Sequence, residues 1–448
     1  MPSLVESLWF RGRAAALLPA LLLSGCATPE YLVNAPLAFP AAATPGYRMS
    51  ALARGDDADA VTISLSFSGG GYRAAAMAFA VLRELRDTEI DAGGGPRRML
   101  DEVDYISAVS GGSLAAAYYG LKRDAAFDRF EAEVLQQDVQ TAVFRRSYSP
   151  RGLWRASAPR YGRSDILQEV LDERIFKGAT FAQWPGTRPM IFINATDMTR
   201  GERFEFTQDQ FDHLCSDLAQ LPLSRAVAAS MAVPLVFSPV TVWNHRDDCP
   251  VDRPLPQMLS SVGQRRYVHL LDGGMSDNLG VRAALESIGA RGGLIESGRQ
   301  MRARGARLMA FIVVNAQTSP SFPEDGRPET PGLVRTARAI MDVPIDRYSS
   351  ASMQLLRDQV ERWRIELRQA RDEELSDIIA RDTEFFVIEI ALANAAPQNH
   401  DEADALQAIP TALRIAPEDA QRLDRYARQA LRGNPEFQRL LARLRQAH

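Results

Sequence analysis

Histidine is scarce in this chain: five in 448 residues, His213, His245, His269, His400 and His448. No HExxH spacing occurs, so the helical zinc-hydrolase motif is absent. A Walker-type GxxxxGKS/T is missing as well, and the one glycine-rich turn after a strand lacks the GxGxxG pattern, which speaks against nucleotide binding there. There is no internal repeat and no low-complexity tract. The formal net charge of -4 gives no bulk attraction to nucleic acid or to anionic lipid. No apolar run reaches the roughly 20 residues that a bilayer-spanning helix needs. With 46% hydrophobic and 24% charged residues the chain reads as an ordinary globular protein, long enough to bury a core without metals or disulfides.

The N-terminus, MPSLVESLWFRGRAAALLPALLLSGCATPE, sets Arg11 and Arg13 ahead of a short apolar run from Ala14 to Leu23. That is the pattern of a secretory signal. Leu23-Ser24-Gly25-Cys26 resembles a bacterial lipobox, in which the cysteine is diacylated and becomes the first residue of the mature protein. The alternative is an apolar N-terminal helix with a chance LSGC. The lipobox implies a signal peptide over 1–25 and a lipid anchor on Cys26. It implies a body tethered to the cell envelope, with Ala27 and Thr28 favouring the outer membrane, facing the periplasm. Several acyl chains together anchor stably where one does not. Cys215 and Cys249 remain. An oxidising envelope permits them to pair, and two reduced thiols in surface loops are the other possibility.

Residues 26–58 hold the cysteine and a Pro- and Ala-rich linker. Val61 to Phe67 then alternates apolar and hydroxyl side chains, the period of a strand. It ends in Gly69-Gly70-Gly71 and passes into an Ala-rich helical pattern. Tyr105 to Val109 repeats the same order, followed by Ser110-Gly111-Gly112-Ser113 and LAAAYY. Further strands are expected at Met190 to Asn194, Val268 to Leu271, Met309 to Val314 and Phe385 to Ile390. Helices are expected at Ser164 to Leu171, at Ser352 to Gln369 and in a pair after Pro417. Strands separated by helices indicate an α/β fold with a mostly parallel sheet. One catalytic domain over 59–320 is expected. Residues 321–448 should be mainly helical and packed on it, with a late strand near 384–390.

Ser110 follows a strand and precedes a helix, and its neighbours are small. A nucleophile elbow needs that, because the turn is sharp and must expose the hydroxyl beside a helix N-terminus. Taken alone, the same residues also fit a Ser capping a helix. Gly69 to Gly71 could turn successive N–H groups toward one point, as an oxyanion site requires. Arg73 next to them could hold that loop or meet an anionic head group. Leu271-Asp272-Gly273-Gly274 closes another strand, and its carboxylate is placed on a tight turn. None of the histidines looks catalytic: His400 lies in a polar loop and His269 inside a strand. An Asp acting directly on the serine is therefore the favoured arrangement. Such a pair works only where burial raises the basicity of the carboxylate.

These three motifs together resemble the patatin-like phospholipase family, over roughly residues 60 to 316. The resemblance implies a three-layer α/β/α sandwich with Ser110 and Asp272 as a catalytic dyad. It implies an oxyanion hole from Gly69, Gly70, Gly71 and Gly111, with Arg73, Gly112, Gly273 and Gly274 as motif support. Asn194 to Asp197, residues 228 to 240 and Met275 to Leu279 continue the likeness. Ala108 departs from it, standing where the nucleophile motif has Gly. The implied activity is hydrolysis of lipid carboxylic esters through an acyl-enzyme, with membrane lipid as substrate and no cofactor or metal. Two alternatives stand beside it: an esterase or thioesterase for small soluble substrates, and a noncatalytic envelope lipoprotein that binds lipid or a partner.

Overall fold

β1 (Val61–Phe67) is buried on both faces, including the hydroxyl residues Ser64 and Ser66. The computed structural model describes residues 30–38, 46–49, 61–91, 95–249, 265–301, 306–319, 326, 328–371, 375, 379–395 and 400–446. The expected signal segment and Cys26 lie outside the described residues. The alternation in β1 marks a strand, but a central one, since helices cover both of its faces.

The other strands are β2 (Glu89–Asp91), β3 (Pro96–Arg98), β4 (Val103–Val109), β5 (Met190–Asp197), β6 (Arg203–Glu205), β7 (Val240–Trp243), β8 (Tyr267–Asp272), β9 (Ala306–Asn315) and β10 (Ile379–Ala391). β2 and β3 form a separate small hairpin. The rest make one eight-stranded sheet in the order β10-β9-β1-β4-β5-β8-β7, with β6 also paired to β5. The five strands from β10 to β5 are parallel, while β6, β7 and β8 each run antiparallel to their neighbours. The late strand expected near 384–390 is β10. It extends the central sheet at the edge of β9.

The helices that shape the site are α1 (Gly71–Asp87), α2 (Gly111–Lys122), α3 (Val139–Ser147), α4 (Pro150–Ala156), α5 (Arg163–Leu171), α6 (Leu223–Ser230), α7 (Leu333–Gln369), α8 (Pro417–Gly433) and α9 (Pro435–Gln446). Side chains alternate along β9 between two cores, as the pleat of a strand requires. Leu308, Ala310, Ile312 and Val314 join the larger core with α1, α2 and α8. Met309, Phe311 and Val313 face the other core, built with Leu356, Val360 and Trp363 of α7. Three layers result, α/β/α. The buried Glu84 of α1 accepts hydrogen bonds from Arg428 and Arg432 of α8, fixing the C-terminal helices to the body. Cys215 and Cys249 are joined in a disulfide, with Cα atoms 5.7 Å apart.

Trp363 lies 1% exposed between the rings of Phe311 and Phe385, at centroid distances of 5.8 and 6.0 Å. Truncating a buried tryptophan removes its transfer energy and leaves a cavity. Trp363→Ala should lower unfolding stability by roughly 3–5 kcal/mol, read from urea denaturation. An unchanged midpoint would contradict the packing of α7 on the sheet.

Candidate active site

Strand register brings the two expected chemical groups together. Val109 pairs with Asn194 on one side of β5, and Asp272 pairs with Ala195 on the other. Ser110, one residue beyond Val109, and Asp272 thus flank β5 at adjacent positions. Two strand spacings amount to about 10 Å of backbone separation, a gap that two inward-turned side chains close.

Ser110 has φ 50° and ψ -121°, a conformation that costs a non-glycine residue energy and persists only where its surroundings fix it. Those surroundings are specific. The Ser110 N–H donates to Ser230 Oγ at 2.8 Å, and Ser230 Oγ donates to the carbonyl of Asn194 at 2.6 Å. Ser113 Oγ donates to the carbonyl of Ser110 at 2.6 Å. Small neighbours are obligatory. A Cβ on Gly111 would lie 1.8 Å from the carbonyl oxygen of Gly71, and one on Gly112 2.7 Å from that of Ser68. Ser110 does occupy the N-cap position of α2, as the sequence also allowed, but its side chain makes no capping bond.

The glycine-rich turn meets Ser110 from the end of β1. Gly70 and Gly71 have φ of 139° and 60°, conformations that side chains rarely adopt. Their N–H groups, with that of Gly111, find no acceptor among the described residues, and they lie where α1 and α2 both begin. Two helix N-termini facing one point favour negative charge there. Gly69 differs from the expectation. Its N–H donates to the carbonyl of Asn278 at 3.0 Å, so it is not a free oxyanion donor. Its place is explained by sterics instead, because a Cβ there would sit 2.5 Å from Asn278 Oδ1. Arg73 is buried and ties the turn down: Nε donates to the carbonyl of Ala316 at 2.8 Å and Nη1 to that of Ile409 at 2.6 Å. Burial lowers its pKa to about 10. The geometry gives it a loop-holding role, not contact with a head group.

Asp272 is held by its backbone: its N–H donates to Ala232 O at 2.9 Å, and its carbonyl accepts from Thr196 Oγ1 at 2.8 Å. Gly273 passes so close to Asn194 that a Cβ would meet its carbonyl at 2.4 Å. The carboxylate Oδ1 accepts the N–H of Gly274 at 2.8 Å. Burial raises the Asp272 pKa from 3.8 to about 6, against the lowering effects of the Gly274 N–H and the Ser110 hydroxyl. Oδ2 closes no hydrogen bond of ordinary geometry. The Ser110 hydroxyl lies close enough to the carboxylate to lower its pKa. No histidine touches either residue among the described contacts. His269 bonds Thr241 through Nδ1, His245 bonds Asn34 O, and His400 is exposed at the start of a helix.

A buried carboxylate of raised pKa, a serine of positive φ and three N–H groups without an acceptor among the described residues meet at the ends of β1, β4 and β8. Residues 65–285 match the family model described as patatin-like phospholipase. The chain carries a patatin-like phospholipase domain. Among solved structures, human GIVD cytosolic phospholipase A2 is similar at 12% identity and TM-score 0.45, over 88% of this chain and 61% of that one. Its complex with methyl gamma-linolenyl fluorophosphonate inhibitor and terbium chloride gives 14%, 0.40, 89% and 61%. VipD from Legionella pneumophila gives 12% and 0.28, over 82% and 67%. The chain spans 61% of the length of the human protein. No curated protein matches the sequence.

The patatin domain has supports that the motifs did not name individually. Ser230 and Asn194 lie inside runs the resemblance marked, but their bonds to Ser110 do not show in sequence. Asn278 joins Gly69 to α7, its Nδ2 donating to Ser349 Oγ at 3.3 Å. Residues 409–413 gave no signal at all. The Tyr72 N–H donates to Ala412 O at 2.8 Å, and Gly71 is so close to Ala412 that a Cβ would clash.

Asp272→Asn tests the burial of charge. A raised folded-state pKa means the ionised carboxylate costs stability above about pH 6, and the cost fades as pH falls toward 3.8. The variant should melt higher than the parent above pH 6, by up to roughly 3 kcal/mol, and converge with it near pH 4. Asp277, likewise raised to about 6 by burial, is common to both proteins and cancels. Equal stability at every pH would place the carboxylate in contact with water.

Proposed function

We propose that the chain is a lipid acyl hydrolase that works through a Ser110–Asp272 dyad. The observation that carries this reading is the fully buried Asp272 carboxylate, its Oδ2 without a partner among the described residues and the Ser110 hydroxyl close enough to lower its pKa. A carboxylate with an ordinary pKa near 4 is a weak base for a hydroxyl. One raised to about 6, with a free lone pair, is better matched to the task while still ionised at neutral pH.

In the proposed reaction Asp272 Oδ2 takes the proton of Ser110 as Oγ bonds to the ester carbonyl carbon. The carbonyl oxygen becomes an oxyanion held by the N–H groups of Gly70, Gly71 and Gly111. Each such donor is worth roughly 3 kcal/mol in the transition state. The intermediate collapses, the bond to the alcohol breaks, and Asp272 returns the proton to the leaving oxygen. Water then gives a proton to Asp272 and attacks the acyl-serine. The fatty acid leaves as Ser110 regains its hydrogen. The family supports a lipid ester as substrate, and the lipobox-like LSGC supports action at the cell envelope with Cys26 as the anchor.

Fatty-acid release from phospholipid vesicles tests the reading. Ser110→Ala and Asp272→Asn should each lower release by at least roughly a thousandfold with circular dichroism unchanged. Activity of the parent should rise with pH through an apparent pKa near 6, as Asp272 ionises. Undiminished release by either variant removes the dyad. No ester hydrolysis by the parent removes the enzyme reading.

A further inference from the structure

The segment from 139 to 164 contains Arg145, Arg146, Arg151, Arg155, Arg160 and Arg163 and no acidic residue, in a chain whose net charge is -4. Its first part folds as the consecutive helices α3 and α4, which approach so closely that a Cβ on Gly152 would lie 1.8 Å from Arg146 O. Arg146 and Arg155 are paired with Glu173 and Glu169, and Arg160 with Glu30. Arg145, Arg151 and Arg163 are exposed and have no acidic partner among the described residues. Between them stand four large apolar side chains turned to solvent: Phe144 at 61%, Tyr148 at 59%, Leu153 at 56% and Trp154 at 49% exposed. Phe144 and Tyr148 rest on each other, with ring centroids 4.5 Å apart.

This pair of helices stands at the catalytic end of the sheet. Tyr72, next to Gly71, donates its hydroxyl to the carbonyl of Gln137, just ahead of α3. Gln140 of α3 exchanges two bonds with the backbone of Leu413, beside the Ala412 that covers the glycine turn. On the far side α5 separates α3 from the turn after α6. Ser164 at the start of α5 bonds Ser238, while Leu235 and Val236 of that turn are 69% and 49% exposed. The same turn begins at Ser230 and Ala232, which hold Ser110 and Asp272.

We propose that α3 and α4 form the docking surface by which the protein lies on an anionic lipid bilayer, with Leu235 and Val236 completing it beside the catalytic pair. Mixed aromatic and arginine side chains on short helices suit the interface, where rings enter the acyl boundary and guanidinium groups meet phosphates. No helix among the described residues is long and apolar enough to cross a membrane. The proposal rests on the lipid-hydrolase reading for its purpose, but its test reads binding and not turnover.

The full chain carrying Cys26→Ala, which has no acylation site there, is sedimented with phosphatidylcholine vesicles and with vesicles of phosphatidylcholine and phosphatidylglycerol in equal parts. The parent should prefer the anionic vesicles and lose that preference at high salt. The pairs Arg145→Glu with Arg151→Glu, and Phe144→Ser with Trp154→Ser, should each bind at least roughly tenfold more weakly. Ile340→Ser, an equally exposed change on α7, should leave binding unchanged. Hydrolysis of a dissolved short-chain ester should be the same in all of them. Its absence from the parent would overturn the enzyme reading and leave the binding result standing. Parent-like vesicle binding by both pairs overturns the docking surface, as does loss at Ile340→Ser instead. Loss of a co-purifying protein with vesicle binding intact overturns it too, in favour of a protein partner.

Discussion

Burial of the Asp272 carboxylate next to Ser110 is the constraint around which this end of the sheet is arranged. Lifting a carboxyl pKa from 3.8 to about 6 corresponds to roughly 3 kcal/mol that the fold does not recover when the group is ionised. A further cost lies in the left-handed backbone of Ser110. Both are met by contacts that leave the two residues little freedom. β5 supplies Asn194 to one and Thr196 to the other, the end of α6 supplies Ser230, and the turn after it supplies Ala232. A one-residue slip of β8 on β5 would turn Asp272 to the opposite face of the sheet.

The glycine-rich turn beside Ser110 depends on backbone more than on side chains. Gly111 and Gly71 approach at a distance that admits no Cβ, and Arg73 ties their loop to carbonyls at Ala316 and Ile409, far apart in sequence. The C-terminal quarter is therefore part of the site's wall. β10 extends the same sheet, α8 is fixed to α1 through Glu84, and residues 409–413 lie on the glycine turn. The patatin domain matched over 65–285 is thus completed by chain beyond that range.

The α/β class and the central strands were legible because each strand is long, apolar and bounded by glycine or a helix start. The three motifs were legible because each pairs a chemical group with glycines at a strand end. What stayed hidden has physical reasons. β2, β3 and β6 are three residues each, too short to show a period. The antiparallel direction of β8 is a matter of topology, which a strand's own residues do not encode. Helix α7 begins at Leu333, well before the expected Ser352, and runs through Pro344. The carbonyl that Pro344 leaves without a donor belongs to Ile340, which is 70% exposed and open to water. The use of Gly69 by Asn278, and of Ala412 by Tyr72, involves backbone atoms that any residue carries, so no spacing announces it.

The most direct test of the central claim is the pH dependence of covalent labelling by a fluorophosphonate, with the adduct located by mass spectrometry. The account predicts an adduct on Ser110 that forms faster as pH rises through about 6, and that Asp272→Asn all but abolishes. Labelling at another serine, or labelling of Ser110 at a rate indifferent to pH and to Asp272→Asn, would contradict it.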